Sequence, residues 1–236
     1  MKIKHLNTIL LILFLTVYII LIVVAFSNID EIAQTSSAFN PSKPTVVIDA
    51  GHGGEDGGAV DNNIVEKDIN LSITKKLADL LRVNGFDVIE TRTDDIMINT
   101  DGNTLREKKV SDMKNRLAVF DTENSIVISI HQNKFPQSKY HGTQVFYGIK
   151  NSGSKTLAEN VQSNIVKLIQ PDNKRECKMA DGGIFLLKNC VNPSIIVECG
   201  FISNYEEAQL LSDEGYQRKM SFSIFCGLMD YINNRG

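Results

Sequence analysis

The 236-residue chain is 42% hydrophobic and 22% charged, with a net charge of −3. That balance excludes a disordered chain, and the lack of any long basic block argues against a nucleic-acid partner. The length suits one domain of ordinary size with a real core.

The first element is an apolar run, "ILLILFLTVYIILIVVAF", at residues 9–26, inside an uncharged stretch from 6 to 29. Eighteen helical residues reach about 27 Å, close to a hydrocarbon core of roughly 30 Å. A secretory h-region has only about 7–15 apolar residues. Lys2 and Lys4 precede the run and Asp30 and Glu31 follow it, which keeps the N-terminus in the cytoplasm and exports the rest. Residues 1–26 therefore read as a signal anchor, with Val23-Val24-Ala25 a weak cleavage site that leaves a signal peptide open. The expected product is membrane-anchored or secreted. Residues 27–44 are polar, carry two prolines and read as a linker. The folded domain is expected at 45–236.

Strand-like and helix-like patterns then alternate. "TVVID" is a buried-type strand, and apolar residues at Ile69, Ile73, Leu77, Leu80 and Leu81 give a helix over 66–82, closed by Asn84-Gly85. "FDVIETR" is the next strand. Met113, Leu117 and Phe120 mark a second helix, "SIVISI" a third strand and "GTQVFYG" a fourth. Leu157, Val161, Ile165 and Leu168 mark another helix, stopped by Pro171. "GIFLLKN" and "SIIVE" read as two more strands, and Tyr216 to Ile232 as the closing helix. The expected fold class is α/β: a mixed, mostly parallel sheet with helices on both faces. Cys177, Cys190, Cys199 and Cys226 show no C-x-x-C pair and read as buried thiols, with Cys177–Cys190 the one pairing to check.

In such sheets ligands sit beyond the carboxyl ends of the strands. Three strands deliver His52, His131 and Glu198 to that edge, and the helix starting at Glu66 begins near it. Two His and one Glu are a ligand set for catalytic zinc, Zn²⁺. We expect His52, Glu66 and His131 to hold the metal and Glu198 to be the catalytic carboxylate that moves a proton. Gly51, Gly53 and Gly54 would then keep the loop bare so that a bulky polymer can approach. A phosphate loop is the rival reading. Asp56 breaks the G-x-G-x-x-G pattern, and Glu55 and Asp56 would repel an anion. Asp49 is expected to accept a hydrogen bond from a ligand His, and His141 reads as a surface residue.

The stretches "VVIDAGHGGEDGGA", "VEKDINL", "TRTD", "NRLA", "SIVISIHQN" and "IIVECGFISNYEEA" resemble the zinc-dependent N-acetylmuramoyl-L-alanine amidases of bacteria, in the expected order across nearly all of residues 45–233. Gln132 departs from the small residue that many members have there. The resemblance implies cleavage of the amide between N-acetylmuramic acid and L-alanine in peptidoglycan. It carries His52, Glu66 and His131 over as ligands and Glu198 as the catalytic Glu. A single catalytic domain behind an apolar segment is similar to the germination-specific type of endospore formers, which implies muramic-δ-lactam formation in the spore cortex. A vegetative cell-wall autolysin and a non-catalytic peptidoglycan-binding module are the alternatives. The chain leaves no room for an inserted plug helix, so a regulatory partner protein or metal supply is the expected control. Arg92 and Arg116 are candidate contacts to stem-peptide carboxylates, or else members of ion pairs.

Overall fold

The structure, a computed structural model, describes residues 13–20, 43–180 and 182–234. The chain divides into two units, residues 1–43 and 44–236. In the first, residues 13–20 are helical and their large apolar side chains are exposed. No helix among the described residues is long and apolar enough to cross a membrane. The expected anchor or signal segment and linker lie mostly outside the described residues.

The second unit is built on a six-stranded sheet. Its strands are β1 (Thr45–Ala50), β4 (Val88–Glu90), β5 (Ser125–Asn133), β6 (Gln144–Tyr147), β7 (Lys178–Met179) and β8 (Ser194–Phe201), in the order β4-β1-β5-β8-β6-β7. The first four in that order run parallel; β6 is antiparallel to β8 and parallel to β7. The central strands are buried on both faces, as their nearly unbroken Val/Ile content requires. A two-residue hairpin, β2 (Val60–Asp61) with β3 (Ile64–Val65), precedes the first helix. Its turn residues Asn62 and Asn63 take φ of 46° and 61°, the left-handed pair that a tight hairpin turn needs.

Helices α1 (Glu66–Val83), α3 (Gly153–Ile169) and α6 (Glu214–Asn233) cover one face and enclose the main core with Ile48, Ile128, Ile130 and Val197. Helix α1 buries Ile69, Ile73, Leu77 and Leu81 at helical spacing and carries Glu66 and Asp68 in its first turn, where acids suit the helix dipole. Helix α2 (Leu105–Phe120) lies on the other face, started by a capping box between Thr104 and Glu107. It meets Val47 and Val127 through Phe120.

Two readings need correction. "GIFLLKN" is no strand: Phe185–Asn189 form a short helix, α4, that buries Leu186 and Leu187 and leaves Phe185 exposed. A short apolar run has no periodicity that separates the two states. The cysteines are all unpaired: Cys190 and Cys199 are buried, but Cys177 and Cys226 only partly so. Helix α5 (Tyr205–Ser212) was not anticipated, although Asn204 caps it by accepting from Glu207 N at 3.0 Å, a readable signal.

Candidate metal centre

His52, Glu66 and His131 converge: one ligand atom from each lies within 4.8 Å of the others. His52 follows β1, Glu66 is the first residue of α1, and His131 stands near the end of β5. Glu66 Oε1 is 3.3 Å from His52 Nε2 and 3.0 Å from His131 Nδ1. A tetrahedral zinc with bonds of about 2.0–2.2 Å sets its ligand atoms roughly 3.3 Å apart, so the donor set fits that ion. The remaining atoms are occupied in ways that fix the ligands. Glu66 Oε2 accepts from Ala59 N at 2.8 Å, and Oε1 also accepts from Gln132 N at 3.0 Å. Asn70, one turn on along α1, reaches Gly51 O at 3.1 Å and Glu66 Oε1 at 3.4 Å, and accepts from Gln132 Nε2 at 3.1 Å.

His52 Nδ1 bonds Asp56 Oδ2 at 2.9 Å. Burial opposes a charge on this ring, but the Asp56 and Glu66 carboxylates outweigh it and raise the His52 pKa to about 9. The two histidines hold Glu66 well below the usual carboxylate range against its burial. Sequence reading gave Asp56 only an anion-repelling role; its position four residues after His52 is the signal that was available. A ligand His whose second nitrogen meets a carboxylate is fixed in tautomer and direction. Asp56→Asn is expected to lower zinc affinity by about 10- to 100-fold, read by competition with a chelating dye. At neutral pH a cation must displace the His52 proton. Affinity should therefore rise with pH towards about 9, and Asp56→Asn should flatten that rise.

His52 takes a left-handed backbone, φ 63°, a costly conformation for a side-chain-bearing residue. Arg116 holds it there by donating to His52 O at 2.7 Å and to Ala50 O at 2.8 Å. Arg116 also pairs with Asp49, and with Asp112 at 2.6 Å. Arg92 bonds Ala50 O at 2.9 Å, Gly51 O at 3.2 Å and Lys67 O at 2.8 Å. Both arginines are buried, so they brace the loop and are spent inside the fold. Asp49 accepts from Thr91 Oγ1 at 2.7 Å, Ser129 Oγ at 2.5 Å and Arg116. The expected bond from a ligand His is absent. His141 is exposed.

The glycines also have a different reason. A Cβ on Gly51 would lie 2.2 Å from the His131 ring. One on Gly58 (φ 70°) would lie 2.6 Å from Glu66 Oε2 and 2.7 Å from His52 Cδ2. Gly51 and Gly58 make room for the clustered side chains themselves, whereas a Cβ on Gly53 would meet Ile96 O and one on Gly54 would meet Met97 N. Gly51→Ala should keep the fold, since Gly51 needs no left-handed backbone, yet displace His131. Zinc affinity should drop by at least the roughly 10- to 100-fold typical of a lost supporting contact, with circular dichroism unchanged.

Glu198 lies on β8 in register with His131, one strand away on the same face. Its Oε2 is buried without a hydrogen-bond partner. Burial raises its pKa to about 7; the His131 charge pulls down and Glu66 pushes up. A proton-sharing carboxylate thus stands beside three metal-type ligands at the carboxyl edge of the sheet.

Fold and site together are those of an α/β domain that carries a metalloenzyme-type His–Glu–His cluster at the carboxyl edge of its sheet. The N-acetylmuramoyl-L-alanine amidase family model matches residues 46–230, and the chain belongs to this family of peptidoglycan hydrolases. It is similar to the germination-specific N-acetylmuramoyl-L-alanine amidase of Bacillus subtilis, 32% identical over 213 residues, covering 89% of this chain and 88% of that protein. Among solved structures it is similar to the CwlD amidase from Clostridioides difficile in complex with the GerS lipoprotein. That match has a TM-score of 0.77 and 42% identity, over 80% of this chain and 98% of that one. An N-acetylmuramoyl-L-alanine amidase from Clostridium difficile 630 follows with a TM-score of 0.71 and 31% identity, over 83% and 100%.

Proposed function

We propose that this chain is a zinc-dependent amidase that cuts between N-acetylmuramic acid and L-alanine, opening the route to muramic-δ-lactam in the spore cortex. The observation that carries the reading is the His52–Glu66–His131 cluster with the unpartnered Glu198 Oε2 beside it. His52, Glu66 and His131 would hold the zinc, which would supply Lewis acidity to a carbonyl and to a water there. Glu198 takes a proton from the attacking water and delivers it to the leaving amine of L-alanine; a pKa near 7 suits both transfers. Asp56 and Asn70 hold the ligands in direction, and the two arginines keep the His52 loop in its strained form.

The spore role is supported by the likeness to the germination-specific amidase of Bacillus subtilis. A regulatory partner is proposed because the similar CwlD amidase was solved with the GerS lipoprotein. The apolar run at 9–26 supports export and a membrane anchor or cleaved signal.

The test is incubation of purified protein with peptidoglycan fragments, with zinc, with a chelator and with zinc restored, followed by mass spectrometry. Free stem peptides beginning at L-alanine, lost on chelation and recovered with zinc, are the expected result. Cleavage at another bond, or equal cleavage in chelator, rejects the reading. Binding without cleavage in zinc favours the non-catalytic module.

A further inference from the structure

Stem peptides carry carboxylates, and the two arginines that the sequence singles out are both consumed by the fold. The geometry points to Arg175 as the residue that receives a stem-peptide carboxylate next to the scissile amide. This assignment rests on the muramyl-peptide reading above. It starts from the register of the sheet. His131, Glu198 and Gln144 are partners on the adjacent strands β5, β8 and β6, so their side chains form a row on one face. Gln144 is one strand spacing, about 4.8 Å, beyond Glu198. Its amide is fixed from both ends: Nε2 donates to Glu176 O at 3.0 Å, and Oε1 accepts from Arg175 Nη1 at 3.2 Å. The row from the metal ligands therefore ends on a guanidinium.

That guanidinium is held without being neutralised. Arg175 Nε donates to His141 O at 2.8 Å, and its guanidinium carbon sits 4.6 Å from the centre of the Phe201 ring. Its backbone N–H donates to Asn173 Oδ1 at 2.9 Å. Among the described residues no carboxylate lies within ion-pair distance of it, whereas Arg82 and Arg218 each have one and Arg116 has two. Glu207 acts on it through space only, both its oxygens being taken by the N–H groups of Gly142 and Phe201. Arg175 is half-buried, and its Nη2 makes no hydrogen bond to the described residues. A planar cation fixed by neutral partners, with donors left over, matches a carboxylate in shape and charge. Its rigidity lowers the ordering cost of binding. In a muramyl peptide the residue after L-alanine carries such a carboxylate close to the bond that breaks.

The experiment measures binding rather than turnover. The full chain with Glu198→Gln, loaded with zinc, is titrated calorimetrically with two muramyl dipeptides. One carries a free carboxylate on the residue after L-alanine; in the other an amide replaces it. The acid form should bind roughly 10- to 100-fold more tightly, the size of one charge-assisted hydrogen-bonded contact. Adding Arg175→Ala should erase that preference, and adding Arg175→Lys should keep part of it. Equal affinity of Glu198→Gln for the two ligands, no binding of either, or an undiminished preference after Arg175→Ala would each overturn the assignment. So would a loss in Arg175→Ala that is equal for both ligands, which marks a purely structural role. If Arg175→Ala does not fold, the lysine variant and the ligand pair still decide. Hydrolysis of the same dipeptides by the unsubstituted protein tests the amidase reading separately.

Discussion

Glu198→Gln should lower kcat by about 10²- to 10⁴-fold, the usual size of a general acid–base contribution, while leaving zinc binding and melting temperature close to those of the unsubstituted protein. The substitution keeps shape and volume. The buried Oε2 makes no hydrogen bond that an amide would break, and Glu198 stands beside the three clustered ligands rather than among them. What is lost is the capacity to hold and release a proton. Turnover of a muramyl peptide by mass spectrometry, paired with a zinc competition titration, reads the two quantities apart. Activity within tenfold of the original would sink the role given to Glu198; loss of zinc would make it a ligand instead.

The second large effect lies behind the site. Arg116→Met should cost about 3–5 kcal/mol, because Asp49 and Asp112 then face a buried site without their cation. For a domain of this size that is a fall in melting temperature of roughly 6–20 °C. The pH dependence gives the mechanism. Burial pushes the Asp49 pKa up, but Arg116, His131 and two hydroxyls outweigh it and hold the pKa below the ordinary value. A lowered carboxylate pKa stabilises above the unfolded pKa of about 4, and that contribution is lost as pH falls through the folded value. Without Arg116, burial dominates and the sign reverses: the raised Asp49 then costs stability as pH rises. The deficit of the variant should shrink between pH 7 and pH 4 in thermal melts. A deficit independent of pH would show that packing, not the ion pair, is what Arg116 contributes. Pairing Arg116→Met with Asp49→Asn should recover part of the loss.

The site residues were legible because each follows a mostly apolar strand stretch, "TVVIDAGH", "SIVISIH" or "SIIVE", and their convergence follows from the α/β rule, although β5 runs on to Asn133 and β8 to Phe201. The mixed sheet with helices on both faces follows from the same alternation. What stayed hidden depends on contacts between distant segments. Nothing local tells that Arg92 and Arg116 turn inward to brace residues 50–52. The glycines looked like space for a substrate, because the His131 ring that fills the space above Gly51 comes from eighty residues further on. Phe185–Asn189 failed for a different reason, being too short for periodicity to speak. Arg175 was passed over because its neighbours come from two distant segments, His141 and Gln144 from one and Phe201 from the other.

The last strand of the sequence, β8, lies in the middle of the sheet, between β5 and β6. A chain emerging from a ribosome or a translocation pore thus has no closed sheet until residue 201 is out. Before then β5 presents an open apolar edge, and His131 lacks its neighbour Glu198. Such late, long-range closure makes folding slow and the half-made chain prone to association. A premature stop before β8 leaves the β4-β1-β5 half of the sheet unjoined to β6 and β7, with no Glu198 beside His131.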